Sequence, residues 1–129
     1  MKKDCYELWA KNKYYVLSKS HKIYLDIREY IKNDDVNFEV LKEKISKVEP
    51  IKDSKKDFEN AILHIWGYFK KDASKNEKEE LFSLIEDYKL DKTTQIDIVK
   101  YINILLVKYP NEYLENSRLL SGEDNEIMA

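Results

Sequence analysis

Apolar residues recur every three or four positions along most of the chain, which is the spacing of an amphipathic helix. The longest such stripe consists of Phe58, Ala61, Ile62, Ile65 and Phe69. Strict alternation of apolar and polar residues, the signal of a β-strand, is nearly absent. The pattern predicts an all-α bundle of six main helices and a short seventh, over about residues 4–18, 21–32, 37–48, 55–71, 77–88, 93–109 and 111–120.

Residues with special backbone preferences set the ends of these helices. Ser20, Ser54 and Asn76 are suited to begin helices, because their side chains accept hydrogen bonds from free N–H groups of the first turn. Pro50 and Pro110 are suited to end them. The sixth helix is apolar on two faces, which predicts a central position. We expect one helical domain over residues 1–120 and an acidic, disordered tail over 121–129.

Charge is unevenly distributed in this chain of 129 residues, although its net charge is only −2. Residues 1–32 hold eight basic and four acidic side chains, whereas residues 112–129 hold five acidic side chains and Arg118. One interpretation is two ordinary solvated surfaces. The other is a basic patch that binds an anionic partner. The candidate side chains for nucleic-acid binding are Lys11, Lys13, Lys19, Lys22 and Arg28.

Cysteine and histidine are scarce, and this limits the chemistry available. Cys5 is the single cysteine, so an internal disulfide is impossible and an intracellular setting is expected. One cysteine and two histidines form no metal-binding motif, and we predict no metal and no cofactor. The first residues lack the apolar run of a signal peptide. We therefore predict a cytoplasmic protein with no membrane partner.

A glycine interrupts the fourth helix in the stretch LHIWGYFKK, residues 63–71. A glycine inside a helix costs about 1 kcal/mol relative to alanine, so some compensating feature is expected. On a helical wheel one side of this helix carries a set of polar groups beside the apolar stripe: Asn60, His64, Gly67, Tyr68 and Lys71. The glycine either makes room for a crossing helix or forms the floor of a ligand pocket, and both alternatives remain open.

The same stretch resembles the YbgA-type domain of unknown function. That family shows an N-x-L-x-H-I-x-G-Y-F-K block, then E-K-x-E-L, then a closing Y-L. The resemblance covers about residues 8–120. The matching residues are Asn60, Leu63 (displaced within the pattern), His64, Ile65, Gly67, Tyr68, Phe69, Lys70, Glu77, Lys78, Glu80, Leu81, Tyr113 and Leu114.

The chain departs from the family pattern at two places. Asn12 stands where the family has a histidine, and residues 117–120 read Ser-Arg-Leu-Leu where the family has Q-x-Y-L. These differences are easier to reconcile with a binding role than with catalysis. The family occurs alone or fused to a cysteine-rich domain similar to thiouracil desulfidases. The resemblance thus implies an RNA-binding partner domain in the removal of sulfur from thiolated uridine in transfer RNA.

Three functions are compatible with these features of the sequence. The first is a non-catalytic accessory domain that binds transfer RNA or another RNA, with tyrosines as stacking surfaces. The second is an interaction module that docks a separate enzyme, such as a desulfidase-like protein. The third is an independent enzyme with His64 as general base, which lacks an obvious nucleophile and orienting group. The sequence leaves the oligomeric state open.

Overall fold

A computed structural model gives the fold of residues 2–122. All regular structure in these residues is helical, with no β-strand, which confirms the predicted all-α class. None of these helices is long and apolar enough to cross a membrane. The helices are α1 (Lys2–Lys19), α2 (His21–Tyr30), α3 (Phe38–Ser46), α4 (Lys55–Trp66), α5 (Lys75–Lys89), α6 (Gln95–Lys108), α7 (Glu112–Glu115) and α8 (Arg118–Ser121).

Side-chain caps explain most of the helix starts. The Ser20 hydroxyl accepts a hydrogen bond from the N–H of Ile23 at 3.1 Å and so begins α2. Ser54 caps α4 in the same way, by accepting from the N–H of Asp57 at 3.1 Å. The prediction for the fifth helix is wrong by two residues, since Ser74 and not Asn76 is its cap. The cause is a capping box in which Ser74 and Glu77 bond each other's N–H groups.

The chain divides into two compact units, Met1–Ala61 and Ile62–Ala129, and the boundary falls within α4. In the first unit, α1 packs against α2 and α3. Cys5 is fully buried there, and Trp9 is 8% exposed. The buried core of this unit consists of Cys5, Trp9, Val16, Ile27, Ile31, Leu41, Ile45 and Val48.

In the second unit, α5 packs against α6, and α6 packs against α8. One face of α6 is buried, through Ile98, Ile102, Leu105 and Leu106. The expected burial of both apolar faces holds for Leu106 but not for Ile96, which is 60% exposed. Trp66 is 6% exposed and packs edge-on against Phe82, with ring centroids 6.0 Å apart.

The predicted seventh helix consists of the two short helices α7 and α8. Asn111 caps α7 by accepting from the N–H of Leu114 at 3.0 Å. The Asn103 amide donates to the carbonyl of Leu120 at 2.9 Å, so it bonds a neighbouring helix. Gly122 follows α8 with φ 66°, the left-handed conformation that favours glycine at a helix end. Residues 123–129 of the predicted tail lie outside the described residues.

Candidate functional site

The predicted ligand site lies where α4 ends. This helix stops at Trp66, five residues before Lys71, the end that the sequence predicts for it. The Gly67 N–H is shared between the carbonyls of Leu63 and His64, at 3.3 and 3.2 Å. Tyr68 and Phe69 then bond carbonyls three residues back. The chain thus tightens after Gly67, and the helical wheel applies only to Asn60 and His64.

Gly67 has no packing neighbour that explains the absence of a side chain. The residue is exposed, and an added Cβ would lie 3.1 Å from the carbonyl oxygen of His64 in the same turn. No other atom of the described residues lies within 4 Å of that Cβ position, apart from the adjoining residues. Of the two alternatives for Gly67, a crossing helix within residues 2–122 is therefore ruled out. Binding of a ligand at this place stays a prediction.

The polar residues predicted around Gly67 have different environments. Asn60 is partly buried on α4, whereas His64 and Lys71 are exposed. Tyr68 is 39% exposed, and its ring stacks on Tyr113 with centroids 6.1 Å apart and planes 13° from parallel.

Tyr113 was missed as a site residue by the sequence reasoning. It is 38% exposed, so the two stacked rings form a partly open aromatic surface in the second unit. The only signal in the sequence was its place in the closing Y-L block.

The five predicted nucleic-acid-binding cations are not equally available. The Lys19 ammonium lies 3.4 Å from the Asp53 carboxylate, and only 16% of its side chain is exposed. Lys13 lies over the ring of Tyr14, 5.6 Å from its centroid. Lys11 lines a depression beside acidic side chains. Lys22 and Arg28 are exposed on α2 and are the two most accessible cations of the set.

A row of three rings crosses the first unit from its core to its surface. Trp9 lies in the core, and its ring centroid is 5.7 Å from that of Tyr24. Tyr24 stacks in turn on the exposed imidazole of His21, at 6.2 Å and 13° between planes. The backbone N–H of His21 donates to the Asp57 carboxylate at 3.4 Å. Arg28 follows His21 by seven residues, so both lie on the same side of α2.

A cluster of polar side chains around the Glu77 carboxylate joins the start of α5 to the end of α6 in the second unit. Glu77 accepts from the Tyr109 hydroxyl at 2.7 Å and from the Lys108 ammonium at 3.0 Å, in addition to the N–H of Ser74. The Tyr101 hydroxyl donates to the Glu77 backbone carbonyl at 3.2 Å. The Ser74 N–H, followed by the Tyr109 hydroxyl and Lys108, lowers the pKa of Glu77 to about 2.

The same bonds have opposite effects on the partners of Glu77. They raise the pKa of Lys108, because the hydrogen bond to the Glu77 carboxylate stabilises the charged ammonium. They also raise the pKa of Tyr109, whose phenolate would face the charge of Glu77. Near neutral pH these shifts keep Glu77 as a carboxylate, Lys108 as an ammonium and Tyr109 as a neutral phenol. This arrangement suits a structural clamp between α5 and α6 better than an acid–base catalyst.

Each unit carries a depression on its surface. The larger has a volume of about 570 Å³ and is lined by Asn103, Leu106, Val107, Pro110, Glu115, Leu120 and Ser121. The smaller has a volume of about 400 Å³ and is lined by Asp4, Glu7, Leu8, Lys11 and Phe38. Neither lining includes the five residues predicted around Gly67. Within residues 2–122, no three side chains of metal-binding type come together.

Residues 13–122 match the profile of the family described as "Protein of unknown function (DUF1722)". The chain belongs to the DUF1722 family. No curated protein and no solved structure matches the chain. The DUF1722 match contains α2, the turn at Gly67 and the Tyr68–Tyr113 pair, and of the predicted site residues it leaves out only Lys11.

Proposed function

We propose that this DUF1722 chain is a non-catalytic RNA-binding domain, and that RNA contacts the outer side of α2. The observation that carries the proposal is the exposed His21 ring at the end of the Trp9–Tyr24–His21 row, with Lys22 and Arg28 on the same helix. A base stacks on an open ring, and phosphates bind cations beside it.

The charges of α2 support this assignment. Asp26 is paired with Lys44 at 3.3 Å, and Glu29 is paired with Lys32 at 2.8 Å. Both acids of the helix are therefore occupied by cations from within the first unit. Lys22 has no carboxylate partner among the described residues, so its ammonium is available to a phosphate. The pairing of both acids favours an anionic ligand on the same helix.

The resemblance to the YbgA-type domain supports one class of RNA as the ligand. It supports a transfer RNA that carries thiolated uridine, with the desulfurising chemistry performed by a separate desulfidase-like protein. The role of this chain is then to hold the RNA. No step of the sulfur chemistry is assigned to its side chains, because the residues around His64 include no nucleophile paired with a base.

Filter binding of transfer RNA to the full chain tests the proposal. We expect binding at about 50 mM salt that weakens steeply towards about 200 mM, because bound cations release counterions from the phosphates. The Lys22→Glu/Arg28→Glu double variant should bind less tightly. Its slope of log affinity against log salt should fall by about 0.7 to 0.9 for each phosphate that the variant no longer binds.

A matched control carries the same change in net charge elsewhere in the first unit. Lys42→Glu/Lys47→Glu alters two exposed lysines at α3 and should keep the wild-type salt slope. The proposal is wrong if the wild type does not bind at low salt. It is equally wrong if both double variants lose the same affinity, because binding would then follow net charge alone.

A further inference from the structure

The outer side of α6 carries three exposed aliphatic residues, which we call the α6 stripe: Ile96, Ile104 and Val107. Their exposed fractions are 60%, 63% and 82%. A surface helix normally places charged residues on the side opposite its buried face. Here three of the six exposed residues of the helix are aliphatic, and grouped exposed apolar residues mark interaction surfaces in soluble proteins.

The spacing of the stripe residues is repeated by two charged residues beside them. Ile96 and Val107 are eleven residues apart, which is about three helical turns, so they lie on one line along the helix. Asp97 and Lys108 have the same spacing and lie on a neighbouring line. Each end of the stripe therefore pairs one apolar residue with one charged residue, acidic at the N-terminal end and basic at the C-terminal end.

We propose that the α6 stripe binds a second copy of this chain, with the two α6 helices antiparallel about a two-fold axis that crosses the exposed side of α6 midway between Ile96 and Val107. In this arrangement Ile96 meets Val107 of the second copy, and Asp97 meets Lys108 of the second copy. The two-fold axis repeats both contacts, as an isologous interface requires. The equal spacing of Asp97–Lys108 and Ile96–Val107 favours a second copy, because only a two-fold interface requires the charged pair to repeat the spacing of the apolar pair.

The local environments of these residues are compatible with the pairing. Lys108 bonds Glu77 at 3.0 Å, yet 60% of its side chain remains exposed for a second carboxylate. Thr93 donates to one oxygen of Asp97 at 2.8 Å and so holds this carboxylate at the start of the helix. Lys100 lies between the ends of the stripe, where its aliphatic stem can cover Ile104 of the second copy while its ammonium stays in water.

The size of the stripe sets the expected strength of the dimer. A helix of 14 residues is about 21 Å long, and one helix pair buries less surface than a standard stable interface. We therefore expect a dissociation constant on the order of micromolar. Sedimentation velocity over a range of micromolar concentrations should show the mass rise from 15.5 kDa towards twice that value.

Two substitutions at Val107 test the orientation of the pair. Val107 lies opposite Ile96 of the second copy and next to its Asp97. Val107→Asp removes the apolar contact and adds a like charge, so dimerisation should weaken at least tenfold. Val107→Lys removes the same contact but adds an opposite charge, so it should weaken dimerisation less. The residue is 82% exposed, so both variants should fold, which circular dichroism checks.

Val40→Asp is the control, since it places the same charge on an exposed aliphatic residue of α3. It should dimerise like the wild type. The proposal is overturned if the wild type stays at 15.5 kDa at every concentration, or if the mass grows beyond that of a dimer. It is also overturned if Val40→Asp weakens association as much as Val107→Asp, or if Val107→Lys dimerises less tightly than Val107→Asp.

Discussion

The directions of the side chains near Gly67 depend on a change of helical pitch that the sequence does not predict. The sequence places Asn60, His64, Gly67, Tyr68 and Lys71 on one side of a regular helix. Gly67 instead begins a run of bonds to carbonyls three residues back. A tighter turn advances each residue by a larger angle, so the predicted line of polar groups ends at His64.

Individual buried and exposed residues were predictable where the surrounding pattern was strong. Phe58, Ile62 and Ile65 are buried, as their places in the apolar stripe of the fourth helix predict. The contact of Tyr68 with Tyr113 was not predictable, because the two residues are distant in sequence and no local pattern relates them. Asn12 is 5% exposed, and its side-chain amide donates to the Leu8 carbonyl at 2.9 Å, a contact that no local pattern predicts either.

His64→Ala should leave the stability of the fold nearly unchanged. The imidazole is exposed on α4, and surface substitutions usually change the free energy of unfolding by less than about 0.5 kcal/mol. Thermal unfolding followed by circular dichroism measures the effect. Phe69→Ala, which removes a side chain that is 1% exposed, should cost about 3 to 5 kcal/mol in the same assay. A comparable loss for His64→Ala would show that the imidazole is part of the folding core.

Among the elements, helix existence followed from the period of apolar residues, and helix ends followed from capping chemistry. The start of α5 shows why the ends are harder to predict. Ser74 and Asn76 are both good caps, and the choice falls to Ser74 because Glu77, three residues on, completes a capping box. For α6 the period predicted two apolar faces correctly, but a period does not say which face finds a partner within the chain.

The clamp between α5 and α6 should make stability depend on acidic pH through Glu77. The bonds of the clamp lower the pKa of Glu77 from the ordinary 4.5 of a glutamate to about 2. The stabilisation is therefore present in full above pH 4.5 and is lost as the pH falls through about 2. Glu77→Gln should lower the melting temperature near neutral pH, and its difference from the wild type should shrink over this acidic range.

Glu79→Gln gives the comparison for this experiment, because Glu79 is an exposed carboxylate of the same helix. Melting curves of both variants and the wild type across the acidic range separate the clamp from the general effect of acid. A constant difference between Glu77→Gln and the wild type at every pH would contradict the assignment of the charge to the clamp.

On the scale of the whole molecule, each unit has its own buried residues and its own tryptophan. Trp9 belongs to the core of the first unit, and Trp66 packs against Phe82 in the second. The composition predicted an all-α chain, but it did not predict a division inside α4. Periodicity describes one helix at a time, whereas the grouping of helices depends on contacts between residues distant in sequence.

Ile27→Ala should destabilise the first unit strongly. Ile27 is fully buried in the core of this unit, and its truncation leaves a cavity that costs about 2 to 5 kcal/mol. Denaturant unfolding followed by the fluorescence of Trp9, in a Trp66→Phe background, measures the change. Leu25→Ala on the same helix is the control, because Leu25 is 41% exposed and should lose far less. Equal losses would show that Ile27 does not face the core of the first unit.

The complete burial of Cys5 gives this protein a built-in reporter. A thiol reagent in solution has no access to its sulfur while the first turns of α1 stay docked. Alkylation under native conditions therefore proceeds only through openings of that region. The alkylation rate measures how often the start of α1 opens. Since the chain has a single cysteine, the label attaches at one known place and needs no engineered site.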